Sequence, residues 1–265
     1  MNLTLLVVDA FARKPFCGNP AAVCFLERFP SAARMQEIAS EMNLSETAFA
    51  VRGKAGEYAL RWFTPQCEVD LCGHATLAAA HAAFRFQEKG GLKRIRFETE
   101  SGSLAVVRDG DFLEMDRPAF PLKSVSATNE MEAAIGRRVV EARLGRDLIC
   151  ALESERDVIE AHPDLEKVAR LQGFLLHVTA RGTRFDCVSR TFGPKAGVPE
   201  DPVCGSGHCH LAPYWSSILG TNELRAWQAS RRGGFLRLRM REPGRVAIAG
   251  QAVLSSVCRM ILPDD

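Results

Sequence analysis

Glu68-Val69-Asp70-Leu71-Cys72-Gly73-His74 and Glu200-Asp201-Pro202-Val203-Cys204-Gly205-Ser206-Gly207-His208 are the two stretches on which the fold turns. In each, a glutamate stands four residues before a cysteine, and a glycine follows the cysteine. Each is led in by a strand-like segment and a short turn, Phe63-Thr64-Pro65 in one case and Phe192-Gly193-Pro194 in the other. Each opens a helix. Ala75–Phe86 is rich in alanine, the strongest helix former, and His208–Leu219 follows its own glycines. The repetition predicts an internal duplication: two similar domains, 1–117 and 118–265, facing each other, with Pro118 and Pro121 at the boundary. The last strand is left free to cross back to the first domain.

Outward from these stretches, strands and helices alternate. Leu3–Phe11, Asn19–Leu26, Thr47–Arg52 and Glu57–Phe63 read as strands. Ser31–Met42 reads as a helix, with Ala33, Met35, Ile38, Ala39 and Met42 at helical spacing and Ser31 as its N-cap. Arg94–Thr99, Gly102–Arg108 and Phe112–Asp116 complete the first half as short strands. In the second half Asn129–Ala142 and Asp164–Leu171 read as helices. Asp147–Glu153, Phe174–Ala180, Phe185–Thr191, Leu224–Ser230, Phe235–Arg241 and Arg245–Leu262 read as strands, the last broken at Gly250. The class is α+β.

Composition narrows the function. The 265 residues are 46% hydrophobic and 25% charged, which is the mix of a folded globule. The formal net charge of +2 provides no basic excess for a phosphate backbone, so nucleic acid is not an expected partner. No segment approaches the roughly 18 apolar residues of a spanning helix, so no membrane role is expected. Met1–Val8 is a poor signal peptide and a good buried strand, which predicts a cytoplasmic protein. Nine scattered cysteines without a C-x-x-C pair do not make a disulfide framework, and most are expected to be buried small hydrophobes.

The two Gly-containing turns carry the chemistry. A helix N-terminus presents unpaired N–H groups and a positive dipole end, which suits a carboxylate. The alternative is a tight turn with no ligand. Cys72 and Cys204 both stand at such a terminus, where a thiol pKa is expected to fall. Two thiols could remove and return a proton from opposite faces of a substrate; otherwise they are inert core residues. His208, Cys209 and His210 are too closely spaced to be metal ligands on one helix face, and no metal is expected. No Gly-x-Gly-x-x-Gly motif follows a strand and no phosphate-binding Lys-Ser/Thr loop occurs, so nucleotide cofactors are not expected. Glu46, in Asn43-Leu44-Ser45-Glu46-Thr47, is either a solvated turn residue or an acid/base.

At these residues the chain resembles the phenazine-biosynthesis-like isomerase family, within the diaminopimelate-epimerase fold superfamily. The matching stretches include Phe16-Cys17-Gly18-Asn19-Pro20-Ala21-Ala22-Val23, Met42-Asn43-Leu44-Ser45-Glu46-Thr47-Ala48-Phe49, Arg61-Trp62-Phe63-Thr64-Pro65, both cysteine stretches, and Gln228-Ala229-Ser230-Arg231-Arg232-Gly233-Gly234. The resemblance implies two similar domains, each a β structure wrapped around a central helix, with an active-site cleft between them. It implies a homodimer and no cofactor. In the phenazine enzyme, a glutamate in the motif matching Glu46 moves a proton during isomerisation of trans-2,3-dihydro-3-hydroxyanthranilate. By the same match, His74, Asp201 and Ser206 line the pocket, and Gly73 and Gly205 offer backbone donors to the substrate carboxylate. The chain departs from that enzyme at Cys72 and Cys204. Racemases and epimerases of the fold carry cysteines there.

The expected activity is therefore a cofactor-independent isomerase moving a proton on a small carboxylate substrate through Glu46. A two-thiol racemase or epimerase using Cys72 and Cys204 is the alternative, and a non-catalytic binding protein of the same fold is the third.

Overall fold

The computed structural model describes residues 2–88 and 90–262. In chain order the first half contains β1 (Asn2–Ala10), β2 (Asn19–Leu26), α1 (Ala32–Met42), β3 (Glu46–Arg52) and β4 (Glu57–Phe63). These are followed by β5 (Glu68–Val69), α2 (Gly73–Ala82), a π-helical turn at Ala83–Gln87, β6 (Arg94–Thr99), β7 (Gly102–Asp109) and β8 (Phe112–Pro118). The second half contains β9 (Lys123–Val125), α3 (Asn129–Ile135), β10 (Val139–Leu144), β11 (Leu148–Leu152), α4 (Glu155–Ile159), α5 (Leu165–Val168), β12 (Leu176–Arg181) and β13 (Cys187–Gly193). It continues through β14 (Val198–Asp201), α6 (Gly205–Leu219), β15 (Glu223–Gln228), β16 (Gly234–Arg241), β17 (Arg245–Gly250) and β18 (Ala252–Ile261). The chain divides into two compact units, Met1–Met115 with Ala249–Asp265, and Asp116–Ile248.

In the first unit β1 lies between β2 and β18, antiparallel to both. β2 runs parallel to β3, β3 antiparallel to β4, and β4 parallel to β6. Helix α2 packs against β1, β2, β3, β7 and β18. Its residues from His74 to Ala80 are all buried, which explains an alanine-rich sequence without a polar face. Helix α1 is different: Met35, Ile38 and Ala39 form a single buried stripe over Phe49 and Phe63. Ser31 caps it by accepting a hydrogen bond from Arg34 N–H, and Asn43 ends it in the left-handed region at φ 48°.

The second unit repeats this connectivity. β10 is antiparallel to β11, β11 parallel to β12, β12 antiparallel to β13, and β13 parallel to β15. Helix α6 buries Gly207–Ala212, Tyr214 and Trp215. Pro213 inside it has no N–H for the Cys209 carbonyl, which instead accepts from Phe120 N–H at 2.9 Å.

The helix expected over Asn129–Ala142 ends at Ile135. Gly136 takes φ 73° and closes it, and the next residues form β10 between β9 and β11. Likewise, the short helix expected over Asp164–Leu171 is only Leu165–Val168, opened by an Asp164 side chain that accepts from two backbone N–H groups.

Candidate active site

Parallel pairing of β2 with β3 places their first residues, Asn19 and Glu46, at the same end of the first unit's sheet. The N-terminus of α2 arrives at that end and delivers Cys72 and His74. The His74 Nε2 stands 2.9 Å from Glu46 Oε2. Asn19 Nδ2 lies 3.2 Å from His74 Nδ1, and Ser45 Oγ donates to Asn19 Oδ1 at 3.1 Å. The Cys72 sulfur lies 3.6 Å from His74 Nδ1. A proton on His74 Nε2 faces Glu46 across their 2.9 Å contact.

Gly18 makes this approach possible. It sits at φ 68°, and a β-carbon there would stand 2.1 Å from the Ala10 carbonyl oxygen. The buried Asp9 anchors the same loop by accepting from Phe16 N–H at 2.8 Å.

Electrostatically the three titratable groups act on one another. Burial disfavours charge on His74, but the Cys72 sulfur and the Glu46 carboxylate outweigh it and hold its pKa well above the ordinary 6.5. Burial and then the Glu46 charge push the Cys72 thiol up. Cys204 is also raised, by burial and by Asp201. The fall expected for thiols at helix N-termini is therefore reversed, because burial, helped by the carboxylates of Glu46 and Asp201, outweighs the hydrogen bonds that would lower them. Burial likewise holds Cys24, Cys150 and Cys187 at about 12, as suits inert core residues.

In the second unit, the turn into α6 is held from several sides. Gln228 Oε1 accepts from Cys204 N–H at 2.9 Å while its Nε2 donates to the Asp201 carbonyl at 2.6 Å. Asp201 Oδ1 accepts from Val203 N–H, and Ser230 Oγ donates to the Pro202 carbonyl. Cys204 Sγ accepts from Gly207 N–H at 3.3 Å and lies 3.4 Å from Ser206 Oγ. His208 Nδ1 lies 2.7 Å from the Cys204 carbonyl, and burial lowers its pKa to about 4.

The duplicated turns share a brace. Arg61 grips both oxygens of Glu68 at 2.6 and 2.7 Å, and Arg190 grips both oxygens of Glu200 at 2.7 and 2.9 Å. The chemistry is not duplicated. Thr47 pairs with Phe63 in the first unit, and Leu176 pairs with Phe192 in the second. By that register the second unit's counterpart of Glu46 is Leu175, and counting two residues past each cysteine makes Ser206 the counterpart of His74.

The chain matches the model of the phenazine biosynthesis-like protein family over residues 8–257. It is a member of that family. It is 46% identical to an uncharacterized isomerase of Pseudomonas aeruginosa, over 96% of this chain and 97% of the relative. A crystal structure of a phenazine biosynthesis family protein from Enterococcus faecalis superimposes with TM-score 0.95 at 45% identity, covering 99% of this chain and 100% of that one. A probable proline racemase from Agrobacterium radiobacter shares the fold alone, at TM-score 0.67 and 9% identity over 98% of this chain and 93% of that one. The phenazine biosynthesis-like chain thus has the two-domain α+β fold of the epimerases. No helix among its described residues is long and apolar enough to cross a membrane.

Of the residues singled out from sequence, Glu46, Cys72, Gly73 and His74 come together in the first unit, and Asp201, Cys204, Gly205 and Ser206 in the second. Asn19 was read as the start of the strand Asn19–Leu26 and as part of a stretch matching the family, and its contact with His74 was not anticipated. A buried network in the second unit was also missed. Asp147 Oδ2 lies 3.1 Å from His177 Nε2 and 3.6 Å from His210 Nδ1. His177 Nδ1 lies 2.9 Å from Thr191 Oγ1. Arg146 donates to both Asp147 oxygens, at 3.1 and 2.8 Å. His210 therefore does belong to a His/Asp group, although its sequence neighbours gave no sign of one.

Proposed function

We propose that this protein is a cofactor-independent isomerase in which Glu46 carries a proton between two atoms of a small carboxylate substrate. The observation that carries the reading is the Glu46–His74 contact at 2.9 Å beside the N-terminus of α2. Glu46 as carboxylate accepts a proton from a substrate carbon and so becomes the acid. The electron pair left behind delocalises into the substrate, and Glu46 returns the proton to a second carbon. The Nε2–H of His74 holds one carboxylate oxygen throughout and fixes the direction of the other. The N–H of Gly73, at the first position of α2, is assigned to an anionic group of the substrate. Gly205 and Ser206, at the first positions of α6, are proposed binding residues of the same kind, and Asp201 a proposed substrate contact.

Glu46 in contact with His74 supplies the first turn with an acid/base group beyond the thiols, which favours this reading over the two-thiol alternative. Cys72 and Cys204 themselves are matched at the two turns, whereas the second unit carries Leu175 and Ser206 where the first carries Glu46 and His74. Burial also pushes the pKa of both thiols up.

The test is proton NMR in D₂O with trans-2,3-dihydro-3-hydroxyanthranilate, followed by a panel of amino and hydroxy acids. Deuterium uptake with conversion is expected for the true substrate. Glu46→Gln should slow it about 10²–10⁴-fold. Full activity in Glu46→Gln, with loss in Cys72→Ser and Cys204→Ser, would transfer the role to the thiols.

A further inference from the structure

The turns into α2 and α6 share one latch and differ in another. Ser101 Oγ donates to the Asp70 carbonyl at 2.8 Å, and Ser230 Oγ donates to the Pro202 carbonyl at 2.6 Å. Each of these carbonyls stands two residues before the cysteine of its turn. The second latch belongs to one turn. Ala59 and Val188, each four residues before the phenylalanine of its strand, pair with Glu98 and Trp227. Thr99 and Gln228 come next and are therefore counterparts. Thr99 Oγ1 donates to the Gly102 carbonyl inside its own hairpin at 2.7 Å. Gln228 instead spans the Asp201–Cys204 turn with both ends of its amide, at 2.9 Å to Cys204 N–H and 2.6 Å to the Asp201 carbonyl.

We propose that Gln228 is a positioning residue that sets the α6 turn for a substrate carboxylate. This rests on the reading of Gly205 and Ser206 as anion-binding residues. Gln228 is fully buried, and its strand end is paired on both sides, with Ser189 and with Gly234. The two partners fix the orientation of the amide, since Oε1 must face the donor and Nε2 the acceptor. Its bonds take the Cys204 N–H and the Asp201 carbonyl out of a ligand's reach. Cys204 Sγ accepts from Gly207 N–H, and the Cys204 carbonyl accepts from His208 N–H. The N–H groups of Gly205 and Ser206 are the pair left to meet an anion, in one fixed orientation.

Only a neutral group with a donor and an acceptor serves here. A carboxylate in its place would still accept from Cys204 N–H. It would repel the Asp201 carbonyl and put a negative charge behind the anion turn. Protonation would remove the charge and restore a donor, and burial favours that protonation.

The experiment is calorimetric titration of the intact protein with benzoate, an unreactive carboxylate, so binding is read without turnover. The wild type is expected to bind benzoate. Near neutral pH, Gln228→Leu and Gln228→Glu should each bind it about 10-fold or more weakly. Measured against the wild type at the same pH, Gln228→Glu should recover affinity at mildly acidic pH and Gln228→Leu should not. Ser230→Ala, which removes the shared latch, should weaken binding far less than either. Circular dichroism confirms that each variant is folded. No binding by the wild type, unchanged affinity in the Gln228 variants, an equal loss in Ser230→Ala, or a loss in Gln228→Glu that ignores pH would each overturn the proposal. Glu46→Gln separates the two readings. It should slow deuterium uptake yet bind benzoate no more weakly than the wild type, so proton transfer by Glu46 can fail with the Gln228 effect intact.

Discussion

A β-carbon on Gly207 would stand 2.5 Å from His177 Cε1. His177 has nowhere to retreat. It is fully buried and held between Thr191 and Asp147, and Asp147 is itself gripped by Arg146. Gly73, the opening residue of α2, has ordinary space, with a notional β-carbon 3.9 Å from Met115 Cε. Gly207→Ala should therefore cost about 1–3 kcal/mol of stability in urea unfolding, while Gly73→Ala should be far milder. His177→Ala added to Gly207→Ala should recover less than a native level but more than the two single losses predict. Strictly additive losses would show that the contact is not the cause. The sequence shows all the turn glycines as permissive residues near a helix start. Which of them is sterically obligatory depends on His177, 30 positions away in the chain, and the sequence carries no local sign of it.

At the scale of elements, the braces into α2 and α6 illustrate what local pattern can and cannot disclose. Glu68 and Glu200 were visible as matching positions four residues ahead of the cysteines. Their arginine partners were not, because Arg61 and Arg190 lie on the preceding strands and meet them only through antiparallel pairing. Arg190 does more than Arg61. Its Nη1 also donates to the carbonyls of Ile159 and Ala161, at 3.2 and 2.6 Å, and so ties the end of α4 to β13. Arg190→Ala leaves Glu200 and those carbonyls without their cation and should cost about 2–4 kcal/mol. Arg190→Lys should recover little, since an ammonium cannot grip a carboxylate with a planar fork and reach the carbonyls at once. Equal stability of Arg190→Lys and wild type in urea titrations would remove the fork from the explanation. The same locality explains the α3 error. Thr128 caps the helix through a side chain that accepts from Met131 N–H, a local signal, whereas β10 exists because β9 and β11 lie on either side of it. Gly136 was the stop signal available in the sequence.

For the whole molecule, duplication was legible because it is written twice in the same order of strands, turns and glycines. Its functional inequality was not, since only strand register sets Glu46 against Leu175. The buried histidines likewise make a statement about the whole fold. His81 in the first unit, and His208 and His210 in the second, are held at about 4 by burial. Each folds as neutral imidazole. Between pH 6.5 and about 4 the unfolded chain takes up protons that the folded chain refuses, so stability falls as pH falls across that window and is full above it. For His208, buried completely, a gap of roughly 2.5 pH units corresponds to about 3 kcal/mol once pH is below 4. His74 has the opposite sign. Its contribution is full below 6.5 and fades as pH rises through its elevated folded value. The protein should therefore lose urea resistance from pH 7 to pH 4.5, and His208→Asn should lose less over the same interval because it removes one of the groups that must be kept neutral. Comparing the drop in unfolding free energy between the two pH values isolates the linkage from any constant cost of the substitution. An equal drop in wild type and His208→Asn would mean that His208 does not resist protonation in the folded state.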